Sequence, residues 1–243
     1  MDQARSERLD AAAGIAFVVL AVLSGYVAGT PPVATDSVGK ITTFLTDKRE
    51  ELQASSFFLG LAMLAFLWFL GSLRGRLRDA EGGTGRLTAV AFGSGLVLVS
   101  LAFVAQGLLM AGTLHVAALD DSTIRALFDG STYVFEMTAF AGAGLTAAVA
   151  AVTLRYGALP TAIGVLSAIA AAVQVISALS LYGEDDSFLS IGGTAPMIAF
   201  FLFLIWALAT SIALLVRAYP RVDGGHEDHA REGAADRAAP GAA

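Results

Sequence analysis

The chain has 243 residues, a net charge of −6, no cysteine, 15% charged residues and 56% hydrophobic ones. Soluble domains carry about a quarter charged residues, so this surface cannot be coated for water, and the composition demands lipid as solvent and partner. The acidic balance excludes nucleic acid, whose phosphates require a basic face, and the lack of cysteine excludes disulfides, thiolate metal sites and a cysteine nucleophile.

A helix crossing about 30 Å of hydrocarbon needs roughly 20 apolar residues. Six stretches qualify, at about 11–28, 54–73, 87–112, 132–154, 158–182 and 195–217, between an N-terminal segment 1–10 and a tail 218–243. They are too long, too rich in Ala and Leu and too lacking in alternation for barrel strands. The sequence thus predicts an all-α polytopic membrane protein with six transmembrane helices. Arg5 and Arg8 ahead of the first helix suggest a signal peptide. A cleavage site ending at Ala28 or Ala34 would need a small residue where Tyr26 or Pro32 stands, so retention is expected.

In the first connection, about 29–53, Asp36 or Ser37 can cap a helix after Pro31-Pro32. Val38, Ile41, Phe44 and Leu45 share one face of it, which predicts a short amphipathic helix on the outer membrane surface; a lid over the bundle mouth is the alternative. The later connections hold Gly82-Gly83, Asp120-Asp121 and Glu184-Asp185-Asp186 and are expected to be aqueous loops. With the N-terminus inside, eleven arginines face the cytoplasm, among them Arg74, Arg76, Arg78, Arg86 and Arg155, against Lys40, Lys48, Arg49 and Arg125 outside. Cytoplasmic loops retain positive charge, so both termini are expected inside. Tyr26, Tyr133, Tyr156, Tyr182 and Tyr219 all fall at predicted helix ends, the headgroup level such rings prefer. The tail is Gly-, Ala- and charge-rich and is expected to be disordered. Its His226, Glu227, Asp228 and His229 are read as solvated side chains and not as a metal site, for want of a positioned second shell. The two halves have loops of unequal length, so no inverted repeat is read.

An ionisable residue within hydrocarbon is expensive and marks a site by default. Glu136 alone lies clearly within a predicted helix, and Ala139, Ala143 and Ala147 on its face direct it into the bundle. His115 closes the preceding helix on the same side, within reach of Glu136, as is Arg125. Gln106 with Thr113, and Gln174 with Ser177, lie in the outer halves of neighbouring helices. Glu136, His115, Gln106, Gln174 and Ser177 are therefore the candidate polar pocket, for a small solute or a proton. The competing reading is that these groups only hydrogen-bond across helices, each worth about 0.6 kcal/mol. Trp206 with Phe200, Phe201 and Phe203 reads as core or lipid-facing, and Gly93-Ser94-Gly95 as close packing.

Several enzyme and cofactor classes are excluded by counting, which leaves an intramembrane enzyme as the third reading. Ser94 as a nucleophile would need a base, and no histidine lies in the last three helices. His115 alone cannot supply bis-histidine haem ligation. Both lysines are in the outer loop, so no retinal Schiff base is available, and zinc-protease and phosphate-loop motifs are absent. No catalytic residue, cofactor or metal is expected.

The passage Arg155-Tyr156-Gly157-Ala158-Leu159-Pro160-Thr161-Ala162-Ile163-Gly164 ends one predicted helix and starts the next. Arg155 can snorkel, Gly157 can take a left-handed cap, Pro160 suits a first turn, and Gly164, Ala168 and Ala172 form a small-residue stripe. It resembles the R-x-G-x-L-P-x-x-x-G turn of a bacterial family of six-helix integral membrane proteins known as a domain of unknown function. The resemblance extends to the amphipathic segment before the second helix and the arginine-rich turn after it; it implies topology and the bacterial cell (inner) membrane, and no catalytic residue. The expectation is a non-enzymatic integral membrane protein, accessory or regulatory in the cell envelope. The alternative is a small-solute or proton-coupled permease with an outward pocket around Glu136.

Overall fold

The computed structural model describes residues 3–33, 35–183, 188–191 and 193–217, with side chains from 12 to 216. Every regular element among them is helical: α1 (Gln3–Ala28), α2 (Val38–Asp47), α3 (Arg49–Glu81), α4 (Arg86–His115), α5 (Asp121–Glu136), α6 (Thr138–Tyr156), α7 (Thr161–Ala178) and α8 (Thr194–Arg217), with 3-10 turns at Val116–Ala118 and Leu179–Tyr182. The tail with its histidines, Tyr219 and Glu184-Asp185-Asp186 lie outside the described residues.

Five segments are long and apolar enough to cross a membrane: Arg49–Glu81, Arg86–Ala118, Asp121–Tyr156, Thr161–Tyr182 and Thr194–Val216. The apolar stretch Ala12–Ala28 of α1 is shorter. Their outward faces are apolar, as lipid contact requires: Trp68 is 69% exposed and Val216 66%. The long helices close a ring in which α1 packs on α3, α3 on α4, α4 on α6, α6 on α7, α7 on α8 and α8 back on α1. Gly14 makes the last closure tight, since a Cβ there would collide with Ser211 Oγ and sit 2.7 Å from the Phe69 ring. Ser24 on α1 donates its hydroxyl to the Ser55 carbonyl on α3 at 2.9 Å.

Five aromatic side chains, Phe17, Phe66, Phe69, Phe203 and Trp206, fill the middle of the ring. Their centroids lie 4.7 Å apart for Phe17–Phe66, 5.2 Å for Phe203–Trp206 and 6.1 Å for Phe69–Trp206. The Trp206 indole N–H donates to Ser167 Oγ at 2.8 Å, so the one polar edge of this core is satisfied. Trp206 and Phe203 are thus core, while Phe201 is half exposed.

One end of the ring carries the exposed arginines 74, 76, 78, 86 and 155. Arg76 Nε donates to the Ala158 carbonyl at 3.2 Å, and the Arg74 guanidinium lies 4.9 Å over the Phe92 ring. Gly157, at φ 70°, ends α6 with its N–H on the Thr153 carbonyl at 2.9 Å, and Pro160 precedes α7. The Glu81 carboxylate accepts the N–H groups of Leu87 and Thr88, both at 2.8 Å, satisfying the open donors at the start of α4.

The opposite end differs from the expectation. The connection read as a loop before residue 132 is largely helix: α5 starts at Asp121, whose neighbour Asp120 caps it by accepting the Thr123 N–H at 3.0 Å. Ile124 and Phe128, four apart on α5, bury against Ile41, Leu45, Leu52 and Val116 in a second apolar cluster. That burial turns a short polar stretch into an amphipathic helix, and it covers the apolar face of α2 with protein. Ser37 is the N-cap of α2. Arg125 on α5 ties the two pieces, holding Asp129 Oδ2 at 2.7 Å and donating to the Asp36 carbonyl at 2.7 Å. We call this the capped end. At ~1.5 Å per residue α3 is about 50 Å long, so it outruns a ~30 Å hydrocarbon layer, and the cap occupies part of the surplus.

Candidate functional site

Between the aromatic core and the capped end, the six helices of the ring leave a cavity of about 80 Å³ among them. Each contributes to its wall: Phe17 and Ala21 from α1, Leu59 and Met63 from α3, Leu98 and Ala102 from α4, Ala139 from α6, Gln174 and Ser177 from α7, and Ala199 and Phe203 from α8. Phe135, Glu136 and Thr138 complete it at the junction of α5 and α6. Phe17 and Phe203 belong both to the aromatic core and to this wall, so the core is the cavity's floor.

The junction is distorted at Met137. Phe140 N–H reaches back three residues to the Met137 carbonyl at 3.2 Å, a 3-10 contact inside an otherwise α-helical run. The Thr138 hydroxyl donates to the Phe135 carbonyl at 2.6 Å, a back-bond of the kind that bends helices. Glu136 and Thr138 flank this irregularity and both line the cavity. Glu136 is partly buried, and its Oε2 receives a long hydrogen bond, 3.4 Å, from the hydroxyl of Ser180.

Three of the five expected site residues, Glu136, Gln174 and Ser177, meet at this cavity. Two do not. Gln106 turns toward α3 and donates to Ser56 Oγ, because a polar partner stands there on the adjacent helix. His115 is exposed at the end of α4 and lines no part of the cavity. The expected approach of Arg125 to Glu136 is likewise replaced by its contacts with Asp129 and Asp36.

The small-residue faces also shift. Ala139 and Ala143 are buried as expected, but Ala147 is exposed. On α7 Gly164 packs tightly, 2.7 Å from Leu154 on its would-be Cβ, whereas Ala168 and Ala172 face outward. The inward row is instead Ser167, Ala170, Gln174 and Ser177, steps of three and four that carry the polar groups. Ser180 extends this row by three residues and was missed, since serine at a helix end carries no cost that would flag it. Gly95 packs against Leu70 and Ser94 against Gly144, whereas Gly93 faces open space, so the close packing read for this segment holds only in part.

No group of three or more His, Cys, Asp or Glu side chains placed to hold a metal occurs among the described residues. Among the described residues the cavity wall contains no Lys, Arg or His, so Glu136 has no basic counterpart among them. Gln174 is 7% and Ser177 2% exposed, and no hydrogen bond to either side chain is found among the described residues. Buried amides and hydroxyls are nearly always paired, so these two offer unused capacity to whatever occupies the space. Chemically, the site combines one carboxyl, one amide, hydroxyls and a mostly apolar, phenylalanine-bearing wall. Comparison with known protein families, with curated proteins and with solved structures finds no match.

Proposed function

We propose that the chain is a six-span integral membrane protein of the cell (inner) membrane, with both termini cytoplasmic. It has no enzymatic activity and holds a small-solute or proton site around Glu136 in an accessory or regulatory role in the cell envelope. Five helices support spanning by length and apolar character, and α1 supports a sixth span by closing the ring between α3 and α8. The arginine end is the cytoplasmic one on the charge-bias rule, and α2 then lies over the outer mouth. The turn at Arg155 to Gly164 keeps its resemblance to the six-helix family of unknown function as support for the same topology.

The observation that carries the site is the cavity to which all six ring helices contribute and in which Glu136, Gln174 and Ser177 converge. Groups that merely specified packing would be plugged by their neighbours. A permease is the second reading, favoured by the cavity's place beneath a cap joined to the ring through the Lys48 and Met137 breaks.

Because the chain has no cysteine, single cysteines test the topology directly. At exposed Thr43 an impermeant maleimide is expected to label intact cells, and at exposed Thr84 only permeabilised ones. The reverse pattern overturns the orientation. Proton flux into proteoliposomes separates the two functional readings: pH-dependent flux abolished by Glu136→Gln establishes the permease, and absence of flux in the unaltered protein leaves the accessory role.

A further inference from the structure

We propose that the Glu136 cavity binds a small protonated amine, of the size of ammonium or methylammonium. This rests on the site reading above and names its ligand class.

Charge comes first. A carboxyl taken out of water either takes up a proton or stays charged beside a compensating cation, and the described wall supplies no Lys, Arg or His. A proton alone would neutralise Glu136 but leave Gln174 and Ser177 unpaired, and it is these two buried groups that favour a cation with several N–H donors. An N–H-bearing cation serves all three: one donor to a Glu136 oxygen, one to the Gln174 carbonyl oxygen, one to Ser177 Oγ.

Size comes next. An apolar cavity of ~150 Å³ admits benzene, six heavy atoms, so one about half as large admits about three. Ammonium and methylammonium fit within that, and tetramethylammonium, with five, does not. The wall decides between an amine and an alkali ion. A hard metal cation exchanges its hydration shell for a nearly complete shell of oxygens, and here only a few oxygens stand among apolar side chains. An ammonium group is content with fewer acceptors, because aromatic surface compensates its remaining charge, and Phe17, Phe135, Phe200 and Phe203 are in the wall.

The test uses the full-length protein purified in detergent, with radiolabelled methylammonium as probe and an apolar carbodiimide as a reporter of whether Glu136 is reachable. Saturable methylammonium binding is expected, displaced by ammonium and not by sodium or tetramethylammonium. Glu136→Gln is expected to lose it. Ser177→Ala and Gln174→Leu each remove one hydrogen bond and are expected to weaken it about fivefold, and Ala199→Leu, which fills the space, to abolish it while Glu136 remains. Binding that survives in Glu136→Gln, or that sodium displaces as readily as ammonium, overturns the proposal. Carbodiimide modification of Glu136 without methylammonium binding sinks the ligand assignment alone. Absence of both sinks the site itself and the function proposed for it.

Discussion

Two levels of the same ring differ in how they use their interior. At the aromatic core, Phe66, Phe69 and Trp206 are at most 0% exposed and fill the space between six helices. One to two turns nearer the cap, the same helices present Ala21, Ala102, Ala139 and Ala199 beside Glu136, Gln174 and Ser177, and space remains. Small side chains bring helices together only where their partners are equally small or where large ones interdigitate. The first level is filled, and the second keeps unfilled space beside its polar groups.

The contrast is broken most severely at Trp206. Trp206→Ala is expected to cost about 3–5 kcal/mol through the cavity it leaves and the donor it strips from Ser167, read as a lowered unfolding midpoint in detergent. A smaller and more discriminating pair lies on α8. Ala207→Leu inserts volume into the filled level and is expected to cost about 1–3 kcal/mol, whereas Ala199→Leu, eight residues away, occupies space already present and is expected to leave the midpoint unchanged or raised. Equal losses at both positions would show that the two levels are not different. Ser24→Ala, which removes the contacts of the Ser24 hydroxyl with the Ser55 carbonyl and hydroxyl, is expected to cost about 0.6 kcal/mol for each hydrogen bond lost.

The smallest effect concerns the cap and acid. Hydrogen bonds from the Ser122 hydroxyl, the Thr123 N–H and the Thr123 hydroxyl hold the Asp120 carboxyl well below the usual carboxylate range. A depressed folded-state value means that the contribution to α5 is fully present above the ordinary value of 3.8 and is lost as pH falls below it. The protection of first-turn α5 amides, relative to their intrinsic exchange rates, should therefore fall below about pH 4 while that of α6 is kept, and Asp120→Asn, which still caps but does not titrate, should remove that acid sensitivity.

Much of this architecture was legible in the sequence because hydrocarbon leaves few options for long apolar runs. The arginine turns, the Gly157 cap and the inward direction of Glu136 followed from simple costs. What escaped notice was decided by neighbours distant in the chain. Asp120-Asp121 has the composition of a loop, and only Ile41 and Leu45 arriving from α2 make it the start of a helix. Depth along a helix was readable for Gln106 as well as for Gln174, but the direction around the axis depended on Ser56 standing beside one and open space beside the other. Of the wall alanines only Ala139 was signalled, by its place on the Glu136 face; Ser180, Ala21, Ala102 and Ala199 carry no such signal, since a void is a property of the residues that fail to fill it.

The Met137 irregularity also sets a gauge. It leaves α6 with 19 residues, about 28 Å at ~1.5 Å per residue, between the distortion and the arginine end. That is close to the ~30 Å of an average hydrocarbon layer and several ångströms short of a sterol-rich one. In a thicker bilayer the mismatch would fall on Glu136 and Thr138, drawing the carboxyl deeper below the headgroups, so lipid thickness acts on this protein at the same residues that line its cavity.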